Sequence, residues 1–157
     1  MSELKTGDLA PTFKLPADGG GEIDLADLRG KTVVLYFYPK DDTPGCTTEA
    51  IDFSRLQAEF EQANAVVVGI SKDSVKKHDR FKAKHDLAVA LGADEDGEVV
   101  EAYGVWVLKK LYGREYMGIE RATFLIGPDG RIADVWHKVK VKGHAEAVLE
   151  AARALSA

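Results

Sequence analysis

The chain has 157 residues and a mass of 17.1 kDa, the size of one domain with a continuous hydrophobic core. Its net charge of −5 leaves no basic excess for binding nucleic acid or an anionic membrane. The longest apolar runs, about six residues, are far too short to cross a bilayer, and the polar residues 1–8 are not typical of a signal peptide. We therefore expect a single domain over residues 1–157 that is cytoplasmic and contacts neither nucleic acid nor membrane.

Cysteine and histidine usage narrows the chemistry further. Cys46 is the only cysteine, which rules out an internal disulfide framework and suits a reducing compartment. The four histidines show no metal-ligand spacing with Cys46, so we expect them to be surface or packing residues. The sequence predicts neither a metal site nor a cofactor.

The strongest local pattern lies in residues 33–63. Residues 33–38 (VVLYFY) are apolar or aromatic without alternation, which predicts a strand buried on both faces between parallel neighbours. Pro39 ends that strand because it has no N–H for the ladder. After a turn, four apolar residues recur at helical spacing and predict a helix whose first turn contains Cys46. They are Phe53, Leu56, Phe60 and Ala63.

Weaker signals complete the chain on either side. Residues 7–16 are expected to be extended, and residues 23–29 to form a short strand and a helical turn capped by Asp24. Strands are predicted at 65–71 and 87–91, and irregular structure at 104–118. Helices are predicted at 98–103 and through about His85, the latter with start signals at Ser71 and at Asp73 or Ser74. A hairpin is predicted at 122–126 and 131–136, and a last helix from about Gly143. This order predicts a thioredoxin-like α/β fold with a central mixed β-sheet flanked by helices and an antiparallel edge.

The position of Cys46 favours reactivity. A helix N-terminus carries unpaired N–H groups and a partial positive charge, which favour a thiolate. Gly45 allows close approach of a ligand to the backbone. Asp41 and Asp42 would oppose thiolate formation if they pointed inward, so we expect both to face water. The alternative is an inert buried cysteine, the usual state of a lone thiol in an intracellular protein.

The residues around Cys46 resemble those of the peroxiredoxins, in particular the Q-type group. The motif of proline, threonine and peroxidatic cysteine is matched at Pro39, Thr43 and Cys46, within FYPKDDTPGCTTEA. The resemblance extends from about residue 8 to the C-terminus and includes an arginine in the expected later segment, Arg121. It implies the peroxiredoxin variant of the thioredoxin-like fold and a thiol-dependent peroxidase, an oxidoreductase serving antioxidant defence and cell redox homeostasis.

The resemblance also implies a role for each matched residue. Cys46 would attack the peroxide O–O bond and become a sulfenic acid. Thr43 would orient the peroxide, and Arg121 would stabilise the thiolate and the leaving oxygen. Glu49 would fix the arginine, and Pro39 would shield the sulfur from water. The alternatives are an ordinary helix cap for Thr43 and surface ion pairing for Arg121 and Glu49.

One departure from the family determines the predicted reaction cycle. Many members carry a second, resolving cysteine five residues after the first, where this chain has Ile51, or in the next helix, where residues 79–85 contain none. The resemblance therefore implies a one-cysteine enzyme, resolved by an external thiol such as thioredoxin, glutaredoxin or glutathione. The group is commonly monomeric, and we expect a monomer.

Other functions on the same fold stay open. A thioredoxin-type disulfide exchanger needs a C-x-x-C pair, which this chain lacks. A glutathione-using transferase, a non-catalytic peroxide sensor and a chaperone or binding protein are the remaining alternatives. Catalytic turnover of peroxide separates the enzyme from the sensor, and loss of function on replacement of Cys46 by serine separates it from the chaperone.

Overall fold

A computed structural model describes residues 4–156 of the chain, so the first three residues of the polar start lie outside the described residues. Its main sheet has the strand order β5-β4-β3-β8-β9, and two smaller two-stranded sheets, β1-β2 and β6-β7, lie beside it. The strands are β1 (Lys14–Pro16), β2 (Glu22–Asp24), β3 (Thr32–Phe37), β4 (Ala65–Ser71), β5 (Ala90–Ala93), β6 (Trp106–Leu111), β7 (Arg114–Ile119), β8 (Ala122–Ile126) and β9 (Ile132–Trp136). The helices are α1 (Pro44–Arg55), α2 (Gln57–Gln62), α3 (Val75–His85), α4 (Glu98–Ala102) and α5 (His144–Ser156).

Strand β3 is the centre of the molecule, and all six of its residues are buried. Its side chains alternate between two hydrophobic cores. One core joins β3 to the N-terminal hairpin and α4 through residues such as Leu35 and Phe37. The other joins it to α1, α2, α3 and α5 and contains Tyr36 and Cys46. The helix that carries the cysteine therefore packs directly on the central strand.

Most of the predicted elements are confirmed. β4 has the predicted bounds, α3 begins after an N-cap at Ser74, and Asp24 caps a helical turn through a bond from the Ala26 N–H to its carboxylate, 3.0 Å. The β8–β9 hairpin is present, and the predicted α/β class with a mixed sheet and an antiparallel edge is confirmed. The predicted cysteine helix is interrupted at Leu56, where α1 ends and α2 begins.

The prediction of irregular structure at 104–118 is wrong. β6 and β7 pair antiparallel from Trp106↔Ile119 to Leu111↔Arg114, around a turn at Tyr112 and Gly113. Both turn residues have positive φ, 51° and 78°, as a tight type I′ hairpin turn requires. Tyrosine rarely adopts that conformation, so the turn gave no recognisable sequence signal.

Two strand predictions are also corrected. β3 has one parallel neighbour, β4, and one antiparallel neighbour, β8, because burial on both faces does not determine the direction of a neighbouring strand. The strand predicted at 87–91 instead spans Ala90–Ala93, where its backbone pairs with β4. Leu87 and Val89 are buried, but they lie in the connection that leads into this strand.

Candidate active site

Cys46 lies in the first turn of α1, as predicted. Thr43 is the N-cap, with an extended backbone, and Pro44 occupies the start of the helix, where its missing N–H costs no hydrogen bond. A short loop leads from β3 into α1, on the side of the sheet that the helices cover. Cys46 therefore belongs to the hydrophobic core between β3 and those helices. Only 2% of Cys46 is exposed. A peroxide can reach this sulfur only through a narrow opening or after local movement.

The Arg121 guanidinium bridges Cys46 and Glu49. Its Nη2 donates to the Cys46 Sγ at 3.3 Å, and its Nη1 donates to the Glu49 Oε1 at 2.7 Å. Arg121 lies between β7 and β8, which places it beside the start of α1. A Cβ atom on residue 45 would lie 3.1 Å from Arg121 Nη2, so glycine at this position gives the guanidinium room. Four of the predicted site residues are thus in one cluster.

Glu49 is almost completely buried, with 1% of its side chain exposed. Burial raises the pKa of Glu49 to about 7, although the charge and hydrogen bond of Arg121 act to lower it. Among the described residues, its second oxygen, Oε2, has no hydrogen-bond partner. That oxygen is the place where a proton can bind without breaking the contact with Arg121.

Thr43 and Pro39 belong to the loop that joins β3 to α1, just before Cys46. The Thr43 hydroxyl donates to the Lys40 carbonyl oxygen at 2.8 Å and makes no helix-capping bond, so it is not an ordinary side-chain cap. Its oxygen lone pairs remain available to accept a further hydrogen bond. Pro39 is half-buried between the central strand and the turn. Within residues 4–156, Arg121 is the hydrogen-bond partner of the sulfur, and the Thr43 hydroxyl makes no hydrogen bond to it.

The expectation that Asp41 faces water is wrong, whereas Asp42 is exposed as predicted. Asp41 is buried and accepts hydrogen bonds from the Tyr38 hydroxyl at 2.5 Å and from His78 Nδ1 at 2.6 Å. His78 Nε2 faces the Gly92 carbonyl oxygen at 2.9 Å. Because both ring nitrogens face acceptors, His78 fits this site as an imidazolium.

Asp41 changes the pKa of its buried partner, His78. Burial acts to lower the pKa of His78, but the hydrogen bond and charge of Asp41, with the Gly92 carbonyl, raise it above its ordinary value. The positive charge of His78 explains why Asp41 can be buried, because it neutralises the carboxylate. His78 precedes Phe81 by three residues, on the buried face of α3. This helical spacing is the feature of the sequence that could have predicted the burial of His78.

Burial and the charge of Arg121 also lower the pKa of two further basic residues, Lys109 and His144. Lys109 of β6 has a lowered pKa because of burial and then the charge of Arg121, while the Cys46 charge acts to raise it. His144 Nε2 lies 2.8 Å from the Thr123 hydroxyl, and burial, helped by Arg121, lowers the pKa of His144 to about 4, so its ring is neutral. Lys109 was overlooked because its strand was not predicted.

Within residues 4–156, no group of three or more potential ligands has the arrangement of a metal site. No helix in the described part of the chain is long and apolar enough to span a membrane.

The fold and the thiol site together define a class: thioredoxin-like α/β proteins that carry a cysteine in the first turn of a helix, beside an arginine. Residues 6–135 match the model of the AhpC/TSA family. Peroxiredoxin Bcp of Bacillus subtilis (strain 168) is 48% identical over 153 residues, 98% of each chain. A putative peroxiredoxin bcp of Coxiella burnetii is 53% identical over 146 residues, covering 93% of this chain and 97% of the relative. A solved structure of Xanthomonas campestris bacterioferritin comigratory protein superimposes with a TM-score of 0.88 at 46% identity, over 92% of each chain.

The chain therefore belongs to the AhpC/TSA family and, within it, to the Q-type or Bcp peroxiredoxins. Peroxiredoxins are thiol-dependent peroxidases, so this protein is an oxidoreductase that uses a peroxide and a thiol reductant. The sequence contains one cysteine, as in the one-cysteine form of the family.

Proposed function

We propose that Cys46 is the peroxidatic residue and that its catalytic cycle needs no second cysteine of the chain. The observation that carries this proposal is the Arg121 guanidinium, 3.3 Å from the Cys46 sulfur and held by Glu49. A fixed cation beside the sulfur favours the thiolate, which is the nucleophile. It also stabilises negative charge that develops on the leaving oxygen.

In the first step, the Cys46 thiolate attacks one oxygen of a hydroperoxide. An S–O bond forms, the O–O bond breaks, and the second oxygen takes up a proton and leaves as water or an alcohol. Thr43 accepts a hydrogen bond from the peroxide, since its own hydrogen is donated to Lys40. Pro39 limits the access of water, and Gly45 leaves the space that Arg121 fills.

In the second step, an external thiol attacks the Cys46 sulfenic acid, so that a mixed disulfide forms and water leaves. A second thiol then releases the reduced enzyme. Thioredoxin, glutaredoxin and glutathione are the candidate reductants, and a reducing cytoplasm is the compartment in which such thiols are supplied. We propose that the enzyme is a monomeric, single-domain protein and needs no cofactor.

Alkyl hydroperoxides and hydrogen peroxide are the proposed substrates. The Xanthomonas campestris relative has been studied for its alkyl peroxide reduction activity, and its likeness to this chain supports the first of these. A non-catalytic peroxide sensor or a chaperone is not favoured, because the named relatives are peroxiredoxins.

The test is stopped-flow oxidation of the reduced protein by one equivalent of hydrogen peroxide, followed by intact mass and a sulfenic-acid trap. We expect rapid gain of one oxygen at Cys46 and none in Cys46→Ser. Arg121→Ala or Thr43→Val should slow the oxidation by at least about tenfold with the fold intact by circular dichroism. Oxidation of the wild type no faster than that of free cysteine would show that the thiol is not activated.

A further inference from the structure

A concave pocket of about 320 Å³ lies between α3 and the loop that joins β3 to α1. Its size is that of a small-molecule site. Phe81, which is buried, contributes an apolar wall, and basic side chains surround it. We call this the cationic pocket; its basic residues are Lys40, Lys77, Arg80 and Lys84.

The acidic residues of the cationic pocket are already neutralised. Asp41 forms a buried ion pair with His78. Asp42 accepts hydrogen bonds from Lys84 at 2.7 Å and from His85 at 2.9 Å. Asp73 accepts from the Asp41 N–H and from the Ser71 hydroxyl, and its other oxygen lies 3.9 Å from Lys77.

Two basic residues of the pocket keep an uncompensated charge. Lys40 and Arg80 make no ion pair with any residue of the described range 4–156. This local positive charge occurs on a chain with a net charge of −5, so it is not a general property of the surface. An anion is the ligand that such a site attracts.

The cationic pocket and the reactive cysteine share one loop of the chain. One of its walls is the loop containing Lys40 and Asp42, and this loop leads directly into Thr43 and the first turn of α1. The Lys40 carbonyl also holds the Thr43 hydroxyl. Because Cys46 is 2% exposed, a resolving thiol can reach its sulfur only where this turn opens. A reductant bound in the pocket would lie next to the turn that has to open.

We propose that the cationic pocket binds the carboxylates of a small anionic thiol, of the kind represented by glutathione, during resolution of the Cys46 sulfenic acid. This inference rests on the proposed peroxidase function. The thiolate sulfur of the bound ligand attacks Cys46 Sγ, an S–S bond forms, the S–O bond breaks, and hydroxide leaves as water after taking up a proton. A second molecule of the same thiol attacks the sulfur of the first, releasing the Cys46 thiolate and a disulfide of the small thiol.

The test separates the two half-reactions. Wild-type protein is oxidised with one equivalent of hydrogen peroxide, and the sulfenic acid is then mixed with glutathione or with uncharged 2-mercaptoethanol at low salt. For Arg80→Glu we expect the rate constant with glutathione to fall roughly fivefold and the rate constant with 2-mercaptoethanol to change less than about twofold. Arg80→Lys should restore the glutathione rate, and added salt should narrow the difference between wild type and Arg80→Glu.

Lys76→Glu is the matched control, since Lys76 is an exposed residue of the same helix outside the pocket and its replacement changes the net charge equally. An equal fall for both thiols in Arg80→Glu, or an equal fall in Lys76→Glu, would overturn the pocket assignment. Reduction by a thiol protein only, with no reaction with glutathione, would also overturn it. Failure of the sulfenic acid to form in the wild type is a different result, and it would reject the peroxidase proposal itself.

Discussion

At the scale of single residues, Arg121 reaches the Cys46 sulfur because residue 45 has no side chain. The guanidinium passes so close to the start of α1 that even a methyl group at position 45 would lie 3.1 Å from Nη2. The other end of the contact is Glu49, one helical turn beyond the cysteine. The three residues Cys46, Glu49 and Arg121 therefore form one unit, whose geometry depends on a glycine.

Gly45→Ala tests this dependence. Residue 45 lies inside α1, and alanine is a better helix former than glycine, so we expect the melting temperature not to fall. The added methyl group pushes the guanidinium away from the sulfur, and the rate of Cys46 oxidation should drop about tenfold. Gly21→Ala is the control, because a Cβ at Gly21 meets no atom within 4 Å. Full activity in Gly45→Ala would show that the position of Arg121 is not critical.

Glu49 gives a prediction about pH and stability. Its pKa rises from an ordinary 4.5 to about 7 in the folded protein, mainly through burial. Between these values the folded state binds more protons than the unfolded state, so this group lowers the free energy of unfolding as pH increases from about 4.5 to 7. Glu49→Gln should flatten that part of the stability profile in urea titrations, whereas replacing the exposed Glu95 by glutamine should not. Parallel profiles for wild type and Glu49→Gln would contradict the raised pKa.

At the scale of elements, the loop before α1 is fastened to α3 by a buried ion pair. Asp41 belongs to the loop and His78 to the helix, and Tyr38 at the end of the central strand donates to the same carboxylate. Ser71 and Asp73, at the end of β4, hold the loop from a second side through the Asp41 N–H. The turn that precedes Cys46 is thus held in place by side chains from three elements.

His78→Gln should loosen this attachment. The folded-state pKa of His78 is raised, so the stability from its charged form is fully present below the unfolded value near 6.5 and is lost as pH increases through the folded value. We expect His78→Gln to lower the free energy of unfolding by about 1–3 kcal/mol at pH 6 and by less at pH 9. Urea denaturation at the two pH values measures this difference. The same loss at both would indicate that His78 is neutral in the fold.

At the scale of the whole molecule, the chain has one thiol and no internal route to a disulfide. In the proposed cycle, the sulfenic acid of Cys46 therefore persists until an external thiol arrives, and further peroxide competes with that thiol. The burial of Cys46 and the fastened loop both slow the approach of a bulky reductant. We therefore expect Cys46 to be sensitive to overoxidation, because the chain has no second thiol and the fold restricts access to the first.

Excess peroxide without thiol should produce this overoxidation. We expect intact mass to show successive gain of two and then three oxygen atoms at Cys46, with no intramolecular disulfide. Ile51→Cys places a second thiol five residues along α1, at a side chain that is 42% exposed. Helical spacing keeps the two sulfurs apart, but unwinding of the first turns would let them join and would suppress the overoxidised species. Equal overoxidation of wild type and Ile51→Cys would show that α1 does not unwind during the cycle.

The sequence alone determined the elements whose signals are local. Unbroken apolar residues predicted β3, helical spacing placed Cys46 at the start of α1, and Gly127 and Gly130 marked the β8–β9 turn. The motif residues around Cys46, together with Arg121, led to the family, and the absence of a second cysteine led to the one-cysteine cycle. These inferences depend only on residues that are close in the chain or on the identity of a few residues.

Only the tertiary structure decided which distant groups meet. The antiparallel pairing of β3 with β8, the β6–β7 hairpin and the starting residue of β5 depend on hydrogen bonds to strands far away in the chain. Asp41 is buried because His78, 37 residues later, supplies a compensating charge. A carboxylate without such a partner remains in water, and no pattern within the loop reveals whether that partner exists.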